Sequence, residues 1–433
     1  MFHFSFGFVA IAIRSFVRFF MLNLSFGMKE RALSPFLAIC LSALATMSAA
    51  LFLPERCVAK EVVSVVVLGD FSATSAVIDR EVWDGLSLGL ERLQMYSDLF
   101  SVKLTIRDIK GSAKTAETLA SEALSREGVD FVVGLSRKAV EGAMKPTFEA
   151  GKILLAVVDS PASLVERDCS RLFFSLAPPS DGTHEMMAIH LGQIQRSRTF
   201  LVASDVAENW AALSAFRRDY RGIVTGETLI PSHRMSHSLD ISKIRAAGSD
   251  SVYMILSGGL AVTFARQFAD SGQMDKTPLF GSWTTFEPPY LMAIGDRALG
   301  ARSVGFWSND LQNETNAIFL SGFETEYNRF PSSFAALGYD TALLIGSVAS
   351  RLGPQIHSPD AVRAALRRYP VPTTRGDLRF ATNHFPLTTF FLRRVDKDSR
   401  GRYQNIIELV LANDWRDSRI SVCPMKWSPN RPQ

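Results

Sequence analysis

Cysteine is scarce in this chain, with four residues in 433, and histidine is not much commoner, with seven. No group of cysteines stands at metal-ligand spacing, and no glycine loop closes on Lys-Ser or Lys-Thr. A cysteine-ligated zinc site and a P-loop phosphate cradle are therefore excluded. His184 and His190 flank Glu185 at the wrong separation for a two-histidine zinc helix. His233 and His237 have that separation but lack the acid between them, and read as solvated loop residues. Low-complexity tracts and short repeats are missing too. Net charge is small, +4 formally, and the first 59 residues supply three of those charges. The rest is close to neutral, and nothing in it suggests a nucleic-acid-binding surface. No cofactor is expected.

What is present begins with an uncharged run. Met28-Lys29-Glu30-Arg31 carries charge, Ala32 to Leu53 carries none, and Pro54-Glu55-Arg56-Cys57-Val58-Ala59 adds a helix breaker and a small-residue exit. This layout predicts a secretory signal peptide over residues 1–59, cleaved after Ala59, with residues 1–27 an extension ahead of the working start. The competing reading is a retained N-terminal anchor, because the run approaches the length of a membrane span. Cys40 and Cys57 would leave with the leader. Cys169 and Cys423 remain, and an oxidising compartment lets them pair. A Cys169–Cys423 disulfide is the expectation.

Beyond the leader, Val62-Val63-Ser64-Val65-Val66-Val67-Leu68-Gly69 is apolar, β-branched and too short for a helix, so it reads as a buried parallel strand. Small and hydroxylated residues follow, from Gly69 to Ala76, and then Val82, Leu86, Leu90 and Leu93 recur at helical spacing. A strand, a small-residue loop and a helix amino end form a corner where free N–H groups can meet a ligand; an ordinary βα turn has the same sequence. The alternation continues through strands at Val102–Asp108, Asp130–Gly134 and Lys152–Val158, with helices at Ala113–Arg126 and Arg137–Ala150. It restarts near Pro178-Pro179-Ser180, with strands at Thr199–Ala203, Ser251–Leu256 and Pro278–Gly281. Such alternation predicts doubly wound parallel sheets, and its restart predicts two similar lobes. From Ala301 a strand, three helices and a strand-rich tail follow.

These features together resemble a family. The leader, Asp70-Phe71-Ser72-Ala73-Thr74-Ser75-Ala76, Gly128-Val129-Asp130-Phe131-Val132-Val133-Gly134-Leu135-Ser136, Gly338-Tyr339-Asp340-Thr341-Ala342 and Asn383-His384-Phe385-Pro386 are similar to type I periplasmic binding proteins of ABC transporters. The nearest branch binds leucine, isoleucine and valine, or amides. The likeness runs from Val62 to Cys423. It implies an α/β fold of two doubly wound parallel-sheet lobes joined by three hinge crossings, placed near Leu176–Ser180, Gly305–Ser308 and Val371–Asp377. The corresponding division is 60–177 and 306–373 in the first lobe, and 178–305 with 374–433 in the second.

The resemblance also implies the function: an exported solute-binding component that takes a small polar or aromatic molecule into the interlobe cleft and delivers it to an inner-membrane permease. The partners expected are that ligand and the permease, with no nucleic acid, and the chain acts as a monomer or weak dimer. A sensory binding protein of the same fold is the alternative. Ser136 after the third strand, and Asp159, Ser160 and Pro161 after the fourth, fall where the family holds a carboxylate, with Arg137 beside them; Ser72 and Thr74 in the first loop are further ligand candidates. Ser136 reads equally as a helix N-cap. Asp159 replaces a small residue, and would repel a carboxylate or recruit an amine. In the second lobe, Asn209 and Trp210 match a closing aromatic position, although Trp210 also reads as core. Ser257 and Gly258 can offer backbone groups. Trp283 stands where amino-acid binders carry an acid for the ammonium, and Glu287 is its nearest substitute. Catalytic and metal-binding residues are not expected.

Overall fold

The computed structural model describes residues 60–72 and 76–426. The leader and its cleavage point lie outside that range. Strand β1 (Glu61–Gly69) has Val63 and Val65 to Leu68 almost wholly buried. Covered on both faces, it has no reason to alternate, hence its unbroken apolar run. Helix α1 (Ala76–Tyr96) returns over the sheet, and parallel strands β2 (Phe100–Asp108) and β3 (Phe131–Gly134) flank β1. With β4 (Ile153–Ala156) and β5 (Phe173–Ser175) they form a five-stranded parallel sheet in the order β2-β1-β3-β4-β5. Helices α2 (Ala113–Arg126) and α3 (Arg137–Glu149) complete these units.

The second sheet repeats the winding. Strands β6 (Arg198–Ser204), β7 (Ile223–Ile230), β8 (Ser251–Ile255), β9 (Leu279–Gly281) and β10 (Arg302–Gly305) lie in the order β7-β6-β8-β9-β10. Helix α4 (Asp181–Gln193) leads into β6, and α5 (Ala207–Asp219), α6 (Ser238–Ala246), α7 (Gly258–Asp270) and α8 (Pro288–Ile294) fall between its strands. Strands β5 and β7 have no clear mark in the sequence. The first is three residues long, and the second is an edge strand interrupted by Gly226 and Glu227.

Three further helices, α9 (Glu314–Tyr327), α10 (Ser333–Leu352) and α11 (Pro359–Arg368), belong with the first sheet. A hairpin follows, β11 (Val371–Thr373) with β12 (Gly376–Leu378), and then β13 (Thr388–Lys397) and β14 (Tyr403–Trp415) join the second sheet antiparallel beside β10. The chain thus passes between the sheets at residues 176–180, 306–313 and 379–387. The last passage comes later than Val371–Asp377. That segment is held to α10 by Asp340, which accepts from Thr374 N at 2.8 Å and Arg375 Nε at 2.8 Å. Asn383 and His384 are also still on the first lobe, bonded to the Val165 and Phe173 carbonyls.

Helices α1 and α10 cross with backbones almost touching. A Cβ on Gly338 would stand 1.9 Å from the Val82 carbonyl oxygen, and one on Gly85 1.9 Å from that of Ala335. Glycine is required at both points by close approach. We expect Gly338→Ala to destabilise the protein by about 1–3 kcal/mol through overpacking. The check is a fall in the denaturant midpoint at an unchanged slope.

At the amino end of β1, His357 sits between two carboxylates, with Nδ1 2.8 Å from Asp130 Oδ1 and Nε2 2.7 Å from Glu61 Oε1. These two hydrogen bonds raise the imidazole pKa above its ordinary value. A group raised in the folded state contributes its stabilisation fully below the unfolded pKa, and loses it as pH climbs through the folded one. Stability should therefore fall as pH rises from about 6.5, the ordinary imidazole value, through the raised folded one, and His357→Gln should flatten that part of the profile in urea melts.

Candidate functional site

In a doubly wound sheet the strand order reverses beside the first strand, and the loops at the carboxyl ends part there. The reversal lies between β1 and β3 in one sheet and between β6 and β8 in the other. The carboxyl ends at both points open into one cavity of about 530 Å³, lined from both lobes. Asp70, Ser136 and Arg137 enter from the first sheet, and Asn209, Ile255 and Trp283 from the second.

Arg137 is the first residue of α3, and its Nε donates to Asp159 Oδ2 at 2.8 Å. Asp159 Oδ1 accepts from the Ser160 N–H at 2.8 Å. Both side chains stay about a quarter exposed, so the pair faces the cavity instead of closing on itself. Burial raises the Asp159 pKa, and the guanidinium opposes that rise. The terminal nitrogens of Arg137 bond no other described residue. Beside it, Ser136 occupies the N-cap of α3 with extended backbone but makes no side-chain cap bond, unlike Ser112, Ser332 and Ser358 at their helices. Its hydroxyl is not committed to the helix.

The opposite wall is aromatic. Trp283 packs on Phe306 and Phe334 with ring centroids 5.0 Å away in each case, and all three line the cavity. Their support is Arg393 on β13, 1 % exposed, which donates to the Trp283 and Trp307 carbonyls and to Glu287 Oε1 at 3.2 Å. Glu287 also accepts from Ser333 N at 2.7 Å and Ser333 Oγ at 2.8 Å, which joins the β9 loop to the amino end of α10. Glu287 is therefore used inside the protein, is 1 % exposed and does not face the cavity, so it does not replace the missing ammonium partner.

The other expected residues are committed to the protein or stand away from the cavity. Asn209 lines the cavity but spends its amide on Ser204 Oγ at 2.5 Å and the Ile255 carbonyl at 3.2 Å, pinning α5 to β6 and β8. Trp210, 56 % exposed, is neither cavity wall nor core, because it lies on the outer side of α5. Ser257 is exposed at the N-cap of α7, and neither it nor Gly258 lines the cavity. Ser72, Ser160 and Pro161 also stand off the wall, and Thr74 lies outside the described residues. His237 is fully buried against Thr263 rather than solvated, since the loop that carries it folds under α7. Cys169 and Cys423 are bonded to each other.

Several lining residues are not announced by the sequence. His184 Nδ1 lies 2.6 Å from the Tyr253 hydroxyl, and burial pushes its pKa down to about 4, so it is neutral at pH 7. Asp79 accepts the Asp70 N–H at 2.6 Å, and burial pushes it up to about 6. With Asp70, Glu141, Asp159 and Glu208, the described wall holds five carboxyl groups against the cations Arg137 and Lys138. The balance is acidic even with Asp79 partly protonated. Only the aromatic pair Phe306 and Phe334 had a usable signal, as large apolar residues beside a strand end and a helix start.

Gly85-Leu86-Ser87-Leu88-Gly89 spells the nucleophile-elbow motif, but it lies inside α1, where Ser87 Oγ donates to Glu91 at 3.3 Å. The motif needs a strand-to-helix turn, which is absent there.

Comparisons agree with this architecture. The chain is 22% identical over 376 residues to a Leu/Ile/Val-binding protein homolog of Brucella melitensis, covering 85% of this chain and 95% of that protein. An ABC transporter substrate-binding protein from Sphaerobacter thermophilus superposes with TM-score 0.76 at 22% identity, over 83% of this chain and 100% of that one. A solute-binding protein of an R. palustris ABC transporter, solved with benzoate, gives TM-score 0.74 at 20% identity, over 84% and 100%. The sequence profile of periplasmic binding proteins matches residues 62–401, so this chain belongs to the periplasmic binding protein family.

Proposed function

We propose that the chain is the exported solute-binding component of an ABC importer, which traps a small polar or aromatic molecule between its lobes and hands it to an inner-membrane permease. The observation that carries this reading is the cavity of about 530 Å³ walled by both lobes at their strand carboxyl ends. It has room for a small metabolite. A ligand that touches both walls binds only the closed form well, so binding shifts the hinge equilibrium toward closure. The passages at 176–180, 306–313 and 379–387 are the hinges, and the leader over residues 1–59, cleaved after Ala59, directs export.

The ligand is amino-acid-like, amide-like or aromatic-acid-like, and the walls favour the first two. An apolar or aromatic body fits against Trp283, Phe306 and Phe334. A head group that accepts from Arg137 and donates to Asp159 matches the polar side, and the surplus of carboxylates there favours a ligand with an ammonium or amide N–H. The curated Brucella relatives and the benzoate complex bracket this range. No turnover is part of the reading: the protein binds and releases.

Thermal-shift screening with L-leucine, L-phenylalanine, benzamide and benzoate tests it, because a ligand that binds only the native state raises the melting temperature. At least one is expected to raise it. Ser136→Ala together with Trp283→Ala should weaken the best binder at least tenfold in calorimetry. Unchanged affinity would take both residues out of the site.

A further inference from the structure

The carboxyl-terminal segment is not used by the ligand cavity, yet it connects the two lobes. Strand β14 ends at Trp415 on the outer edge of the second sheet, where the indole packs on Phe390 at 5.2 Å. The chain then leaves that sheet. Asp417, nearly buried, caps a short 3-10 turn (Ser418–Val422), and Cys423 bonds Cys169 at a Cα separation of 5.8 Å. Cys169 lies between β4 and β5 in the first lobe. On the way, Arg419 is gripped by Asp417, and its Nη1 stands 3.0 Å from Asp181 at the start of α4 and 3.5 Å from Glu166 in the first lobe. Asp181 immediately follows the passage at 176–180. The tail therefore runs beside that passage and ends on the other lobe. Both sulfur-bearing residues are half-buried, within reach of a small reductant.

We propose that this tail is a redox-breakable strap, a fourth connection that acts beside the three chain passages and limits how far the lobes separate. It rests on the hinge reading above. A hinge made of three chain passages leaves twist and opening to backbone torsions. A covalent link alongside one of them removes some of that freedom in the oxidised protein, and two-electron reduction by a dithiol, which itself closes to a cyclic disulfide, restores it as two thiols. The open, unliganded ensemble widens most, because the closed form already has its lobes together.

The experiment measures the distance between the lobes. Keto amino acids at Glu122 and Lys243, both exposed and one in each lobe, carry spin labels without using thiols. Distances are recorded in three forms of the unliganded protein: oxidised, reduced with dithiothreitol, and Cys169→Ser/Cys423→Ser. A fourth form has four Gly/Ser residues inserted between Val422 and Cys423, which slackens the strap with its bond intact. The oxidised protein should give the narrowest distribution. The reduced, serine and slackened forms should each extend it to longer distances, and a panel compound that binds should draw all four to the same short value. The slackened form keeps the test decisive if the serine variant does not fold. A distance that shortens with ligand but is identical in all four unliganded forms overturns the strap and leaves the hinge standing. A distance that nothing moves overturns both.

Discussion

The buried Arg393 guanidinium is the interaction on which the site depends. It reaches the carbonyl of Trp283 in the β9 loop, the carbonyl of Trp307 in the second passage, and Glu287, which in turn holds the first residue of α10. Those three places carry Trp283, Phe306 and Phe334, the whole aromatic wall. A charge this deep is tolerable only when paired: removing one partner of a buried ion pair costs about 3–5 kcal/mol, because the other charge is left without compensation. Gly305 is part of the arrangement, since a Cβ there would lie 2.4 Å from the guanidinium carbon. The wall is thus set by a polar group behind it. Because Ser333 belongs to the first lobe and Glu287 to the second, the same node links the lobes close to the second passage.

Facing that wall is a different kind of chemistry. Arg137 and Asp159 are paired through one nitrogen and one oxygen, and the pair stays about a quarter open to the cavity. It presents donors and an acceptor side by side while adding no net charge. The remaining carboxylates then decide the sign of the field, which opposes a lone anion and suits a ligand that also brings a positive or donating group. Arg137 can still meet a carboxylate, but Asp159 must be satisfied at the same time. His184 does not alter this balance, since burial keeps its ring neutral. Asp79 does, because its protonation near pH 6 weakens the negative field at the floor.

Much of the fold was legible because strand burial leaves a compositional mark. The run Val62–Gly69 and the two cycles of alternation were enough for two doubly wound lobes, and short β5 was lost because three residues carry no period. Site residues were legible where a loop directly follows a strand, as with Ser136, Arg137 and Asp159. They were not legible where a side chain's direction matters more than its position. Asn209 and Trp210 are adjacent, yet one helix step turns the first into the cavity and the second to solvent. Glu287 was expected to seek a ligand, but its partner Arg393 lies over a hundred residues away in sequence, and no local pattern announces such a pair.

The two lobes share one winding order, so what they do not share identifies the added parts. The antiparallel strands β13 and β14 and the tail after them have no counterpart on the first sheet. That single addition supplies Arg393, which fixes the aromatic wall and contacts Ser333 across the lobes, and Cys423, which bonds the other lobe directly. A symmetric pair of sheets gives a cleft but no preferred spacing between its sides. Spacing requires contacts that cross, and several of them here originate in the unmatched segment. The cleft geometry therefore follows from the carboxyl-terminal extension at least as much as from the duplicated core.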